Sequence, residues 1–164
     1  MSSEGKNLSD VSVFASQVAL TGLKIGIIQA VWNEEITNIL REGAEGLLIE
    51  RGLKPSQLIH VRVSGAMELP LAALWLLEKV DGVIVLGCVV RGGTPHFEYV
   101  CQGTTQGIID VQLKIQKPVI YGLLTVNTEQ EAWDRAGGKY GNKGREAGAT
   151  LLQQLEVRQF VETL

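Results

Sequence analysis

Four times along the chain an apolar run gives way to a stretch in which apolar positions recur every three or four residues. Leu23–Val31 (LKIGIIQAV) is the first run, and the spacing after it places Ile36, Ile39, Leu40, Gly43, Leu47 and Leu48 on one helical face, with Gly52 as the stop. Leu58–Val63 (LIHVRV) alternates Ile59, Val61 and Val63 with polar residues, SGAMELP breaks it, and Pro70–Lys79 predicts a helix with proline in its first turn. GVIVLGCVV is apolar on both faces and predicts a central strand, followed by a helix over Phe97–Lys114. Pro118–Val126 is the fourth strand. TEQEAWDRAG then predicts a short helix, with Thr128 three residues before Glu131 as a capping pair. The basic, glycine-rich GKYGNKG leads into a last helix. Strands of this kind alternating with helices pair in parallel through right-handed crossovers. The expectation is an α/β fold, a three-layer α/β/α sandwich around a four-stranded parallel sheet.

Two segments stand outside this alternation. Residues 1–10 are polar and predict a flexible tail, leaving 11–164 as a single domain. Val11–Leu20 (VSVFASQVAL) is apolar and partly β-branched, and predicts a strand that needs an edge to pair with, its own or a neighbour's.

A chain of 164 residues can bury about 70% of the surface its unfolded form exposes, enough for one core. Its net charge of −3 argues against nucleic acid, which wants a basic surface. No apolar run is long enough to span a membrane, and the N-terminal stretch does not read as a signal peptide. The two cysteines, Cys88 and Cys101, have no CxxC spacing, read as small buried hydrophobes, and suit a reducing cytoplasm.

In open parallel sheets, ligands bind beyond the carboxyl ends of the strands. That rule selects Trp32-Asn33, SGAMELP, RGGTPH and TVNTEQ, all expected on one rim. In RGGTPH, Gly92 and Gly93 let backbone N–H groups approach an anion at a helix start, Thr94 adds a hydroxyl, and a neutral His96 can take and return a proton. The plainer reading is a glycine turn with a capping threonine and a surface histidine. Trp32 can stack on a flat heterocycle or close the core; Glu68 can accept from ligand hydroxyls or serve as a helix-start acid. Arg135 and Lys139 can clamp a phosphate or belong to a solvated face. Trp75 and Trp133 read as core or interface packing, and His60 as structural. There is no GxGxxG after the first strand, no GxxxxGK[ST] and no G-x-S-x-G; two histidines are too few for a typical metal site.

Trp32-Asn33, SGAMELP, GCVVRGGTPHFEYV, PVIYGLLTVNTEQEAWDRAG and GNKG together resemble the 6,7-dimethyl-8-ribityllumazine synthase family, from about Gly22 to the last helix. The resemblance implies a flavodoxin-like strand order. It implies condensation of 5-amino-6-(D-ribitylamino)uracil with 3,4-dihydroxy-2-butanone 4-phosphate, releasing phosphate and water, as the penultimate step of riboflavin biosynthesis, with no cofactor or metal. By the same resemblance His96 assists proton transfer and Arg135 binds substrate phosphate, with donors from Gly93 and Thr94. Trp32 stacks on the pyrimidine beside Asn33; Ala66, Met67 and Glu68 line the ribityl chain; Val89 and Val90 lie near the ring; Tyr121 reaches into a neighbouring subunit's site; and Lys143 is a further site residue. The chain departs from the usual family pattern at Val31 (commonly Arg), Trp32 (usually Phe), Ser64 (usually Pro) and Met67 (often aromatic).

The resemblance also implies homopentamers, or shells of sixty subunits, with sites between adjacent copies and Val11–Leu20 paired to a neighbour's sheet. The compact AGGKYGNKGREAG favours the shell. Riboflavin synthase is a candidate partner. Three readings compete: a non-catalytic flavin- or lumazine-binding relative using Trp32, a shell protein with secondary enzymology, and a phosphosugar-binding α/β module. The first leaves His96 and Arg135 without a use; the last leaves Trp32 without one.

Overall fold

The computed structural model describes residues 18–164. Its framework is a four-stranded parallel sheet in the order β2-β1-β3-β4, formed by β1 (Ile25–Ala30), β2 (Leu58–Val63), β3 (Gly82–Val90) and β4 (Val119–Val126). This is the α/β architecture and the strand order expected. Residues 11–17 of the proposed N-terminal strand lie outside the described residues, and residues 18–20 are not in a strand.

Two helical layers cover the sheet. α1 (Glu34–Glu50) and α5 (Lys143–Glu162) pack on one face, where Ile25, Ile27, Ile84, Leu86 and Leu124 meet Leu40, Leu48 and Leu151. α2 (Leu69–Leu76) and α3 (His96–Ile115) cover the other, where Ile28, Val83 and Val85 meet Leu69, Ala73 and Ile108. Successive strand residues point to opposite layers, which is why β1 and most of β3 are buried throughout. α3 turns Val100, Thr104, Ile108 and Val111 inward at helical spacing. α1 ends at the predicted glycine. Gly52 takes φ 105° while its N–H donates to the Ile49 carbonyl and that of Leu53 to Leu48, the paired bonds of a Schellman closure.

The fourth helix, α4 (Glu129–Trp133), starts as predicted, with Thr128 Oγ1 accepting from the Glu131 N–H. The reciprocal bond sits one residue earlier, Glu131 Oε2 accepting from the Asn127 N–H. GKYGNKG holds a structure not expected from its composition, a small antiparallel pair, β5 (Ala136–Gly138) and β6 (Gly141–Asn142). Asn142 ends it and caps α5, its Oδ1 accepting from the N–H groups of Gly144 and Arg145.

Candidate functional site

The loops after β1, β2 and β3 converge on a cleft of about 380 Å³ beyond the carboxyl ends of the strands. Trp32, Asn33, Ala66, Met67, Glu68, Val89, Val90 and His96 all line it, with Cys88 and Val100 at its base. The sheet places them: β1 stops at Ala30, and the Val31 and Trp32 N–H groups continue its pairing onto the Val63 and Ser64 carbonyls. Trp32 is 73% exposed, so it does not close the core. Its indole lies beside Gly65, where a Cβ would approach Cδ1 to 3.2 Å.

Several predicted site residues already have partners in the chain. Asn33 sits in the left-handed region at φ 58° and donates from Nδ2 to the Cys88 carbonyl at 2.8 Å, tying the Trp32 loop to β3. Glu68 Oε2 accepts from the Gly65 N–H at 2.9 Å, closing the turn Ala66–Glu68. Met67 lies over Gly103 of α3, and its sulfur accepts from the Thr104 hydroxyl. Burial pushes the Cys88 thiol up to about 11, the Glu129 charge adding to the effect, so the cysteine at the cleft base is a weak nucleophile.

His96 is the first residue of α3, and no side chain caps that helix start. The capping role considered for Thr94 is therefore not observed. Gly92, Gly93 and Thr94 are exposed, and a Cβ on either glycine would meet nothing within 4 Å. Neither glycine has a positive φ. Nothing among the described residues demands glycine here, which leaves the backbone open to approach.

The remaining predicted residues lie elsewhere. Tyr121, Arg135 and Lys143 line a second cleft of about 580 Å³, along the open edge of β4 between α3 and α5, together with Thr125, Glu146, Thr150 and Gln154. Among the described residues none lines both clefts. Tyr121, Arg135 and Lys143 stand outside the four strand-end segments expected on one rim, and within one chain the predicted site residues divide between two clefts. Arg135 follows α4, donates from Nη1 to the Glu131 carbonyl at 2.9 Å, and holds its guanidinium 5.0 Å from the Tyr140 ring centre. Lys139 also lies against Tyr140 and does not line the cleft; the second cation there is Lys143, paired with Glu146. Sequence reasoning missed Glu146, whose Oε1 is buried without a hydrogen-bond partner. Its place one helical turn after Lys143 was the available signal.

The Tyr121 hydroxyl and Thr105 Oγ1 share a hydrogen bond of 3.0 Å, and burial raises the phenol above its ordinary pKa. A folded value above the unfolded one means that the contribution to stability is complete below the unfolded pKa, near 10, and is lost as pH rises through the folded one. Alkaline titration followed at 295 nm should show one tyrosine ionising later than free tyrosine. Persistence of that late step in Tyr121→Phe would refute the assignment.

A family model described as 6,7-dimethyl-8-ribityllumazine synthase matches residues 22–159. Proteins of that name from Cytophaga hutchinsonii and Parabacteroides distasonis are each 48% identical over 157 residues, covering 94% of this chain and 98% of the relative. One from Micrococcus luteus is 48% identical over 143 residues, covering 85% of this chain and 89% of the relative.

Proposed function

The chain belongs to the 6,7-dimethyl-8-ribityllumazine synthase family, and from that premise we propose that its two clefts are complementary halves of one active site, each completed by a neighbouring copy. The protein is a transferase that condenses 5-amino-6-(D-ribitylamino)uracil with 3,4-dihydroxy-2-butanone 4-phosphate in riboflavin biosynthesis. The observation that carries the two-copy reading is the separation of the residues: an aromatic platform, the Ala66–Glu68 turn and a histidine in one cleft, two cations in the other.

In this reading Trp32 stacks on the pyrimidine, with Val89 and Val90 against the ring. Ala66, Met67 and Glu68 follow the ribityl chain, Glu68 through the oxygen not committed to Gly65. Asn33 acts by holding the Trp32 loop. The phosphate of the second substrate lies between the open N–H groups at Gly93, the Thr94 hydroxyl and the neighbour's Arg135, with Lys143 beside it. Tyr121 closes the site from the neighbour's side.

The chemistry needs placement and proton movement. The pyrimidine's amine attacks the ketone and loses water as an imine. The adjacent hydroxyl-bearing carbon gives up its proton, through His96, and the freed electron pair expels phosphate with the electrons of its C–O bond. The enol left behind tautomerises to a methyl ketone, which the ribitylamine nitrogen attacks, closing the ring with loss of a second water. His96 takes the proton from the attacking amine and returns protons to departing oxygen. Holding both reactants in register supplies several kcal/mol, up to roughly 7–11 in ideal cases.

The same reading extends to a pentamer, to a sixty-subunit shell, to a cytoplasmic location in which both cysteines stay free, and to association with riboflavin synthase. Among the described residues no helix is long and apolar enough to cross a membrane. Trp75, 63% exposed on α2, is not core packing and suits the interface that such an assembly supplies.

The test is turnover with both substrates, following lumazine absorbance, for wild type and His96→Ala. Wild-type turnover with a loss of about 10²-fold in His96→Ala is expected, the lower end for general acid–base catalysis because water can relay the proton. A folded wild type that makes no lumazine would overturn the proposal.

A further inference from the structure

Arg91 heads the polar turn that carries Gly93, Thr94 and His96, yet it lines neither cleft. Its side chain is engaged in three directions. Nε donates to Asn127 Oδ1 at 2.9 Å, Nη1 pairs with the Glu98 carboxylate, and the guanidinium lies 4.1 Å from the Phe97 ring centre. Its N–H donates to the Val126 carbonyl at 2.9 Å. Asn127 is itself fixed, its N–H donating to Glu131 Oε2. One guanidinium therefore joins the end of β3, the first turn of α3 and the exit of β4. The Glu98 carboxyl is held below the usual carboxylate range, chiefly by its bond to Arg91.

The segment between these anchors has little else to hold it. Residues 91–96 are exposed, no side chain caps α3, and a Cβ at Gly92 or Gly93 would touch nothing within 4 Å. Two flexible residues in a row carry a large conformational entropy, which their flanks must restrain if the turn is to keep one shape. Arg91 restrains one flank directly and the other through Glu98, two residues beyond His96.

We propose that Arg91 is a positioning residue for the condensation: bound to Asn127 and Glu98, it fixes the Gly92–His96 turn so that the phosphate donors and the imidazole keep their mutual register. The inference rests on the site proposed above. It separates Arg91 from the phosphate-binding cations, although a lone cation beside two glycines invites that reading. A planar fork is what the task needs, since a lysine offers the charge without the two-pronged geometry.

The experiment measures kcat and both KM values for wild type, Arg91→Ala, Arg91→Lys, Asn127→Ala, Glu98→Gln and the double variant Arg91→Ala/Asn127→Ala. A positioning role predicts a loss of about 100-fold in kcat/KM for Arg91→Ala, the scale of a misplacement near 1 Å. The loss should fall on kcat and on KM for the butanone phosphate, with KM for the pyrimidine nearly unchanged. Arg91→Lys should resemble Arg91→Ala. Asn127→Ala and Glu98→Gln should lose activity in the same direction, and the double variant should be no worse than Arg91→Ala alone, because the contacts form one unit. Should Arg91→Ala not fold, Asn127→Ala and Glu98→Gln carry the test.

Full rescue by Arg91→Lys, or a lower KM for the butanone phosphate in Glu98→Gln, would make Arg91 an anion ligand and overturn the inference. Wild-type kinetics in Asn127→Ala and Glu98→Gln would overturn it too, with the proposed function left standing. A wild type without turnover would remove the proposed function and this inference together.

Discussion

Replacing Arg135 with alanine is expected to cost roughly 10³-fold in kcat/KM, more than the loss of His96, while leaving the fold intact. The size follows from what is removed. Truncating one partner of a desolvated charge pair costs about 2–5 kcal/mol, much of it from the other charge left unpaired. Here that other charge is a phosphate, and losing its anchor also forfeits the register on which the proton transfers depend. The fold should survive because, among the described residues, the Arg135 side chain donates only to the Glu131 carbonyl and lies against Tyr140. Arg135→Lys should recover little, since the ammonium cannot offer two parallel donors to a phosphate. Steady-state kinetics with both substrates, beside a thermal melt of each variant, decides the matter. A loss below about tenfold in a fully folded Arg135→Ala would remove the phosphate anchor from this residue.

Gly144→Ala is expected to be the most damaging small substitution in the packing between α1 and α5. A Cβ at Gly144 would lie 1.8 Å from the Leu40 carbonyl oxygen and 2.6 Å from its carbon, with Asn142 Oδ1 at 2.9 Å. The nearest atoms are backbone of a buried helix, and Asn142 Oδ1 is held by its capping bonds to Gly144 and Arg145. No flexible side chain can swing away, so the helices must separate. The cost belongs at the upper end for overpacking, about 3 kcal/mol or more. For a domain of this size that lowers Tm by roughly 6–12 °C. Gly46→Ala is the matched control, because it adds the same methyl to α1 with nothing within 4 Å of it. That change should stabilise by about 0.5–1 kcal/mol through helix propensity. Equal melting temperatures for the two variants would show that the α1–α5 contact yields more readily than its geometry implies.

The sheet was legible in the sequence because burial on two faces leaves continuous apolar runs in β1 and β3, and β4, at the edge, stays mostly apolar with Tyr121 and Thr125 exposed. β2 was legible by alternation, with His60 and Arg62 exposed between Ile59, Val61 and Val63. Helix ends moved by one to a few residues: α2 runs over Leu69–Leu76, short of Lys79, and α3 begins at His96, one residue before its expected start. α2 is apolar nearly all round, so its spacing could not say that Trp75 faces outward. The β5–β6 pair was illegible because it depends on positive φ at Gly137, where the register of β5 shifts, and at Gly141, and three residues of alternation are too few to read.

The candidate site was half legible. Placing ligands beyond strand ends gathers Trp32, Glu68 and His96, which the fold brings into one cleft because each follows its strand within a few residues. The rule is silent about Arg135 and Lys143, which come after α4 and after β6 and return along the open edge of β4. Only the packing of α5 against that edge decides where they face. Arg91 carries no assignment from the sequence, because its contact with Asn127 joins residues 36 positions apart that only the pairing of β3 with β4 brings together.

Because none of the described residues lines both clefts, a newly folded chain on the two-copy site proposed above holds native helices and strands but no complete reaction centre. Recovery of secondary structure after denaturation then proceeds at a rate independent of concentration, as for any single domain. Recovery of turnover waits for encounters between chains. At high dilution those encounters govern the time course, so catalysis returns with a lag that lengthens as the protein is diluted, and specific activity becomes a function of how many copies share the solution.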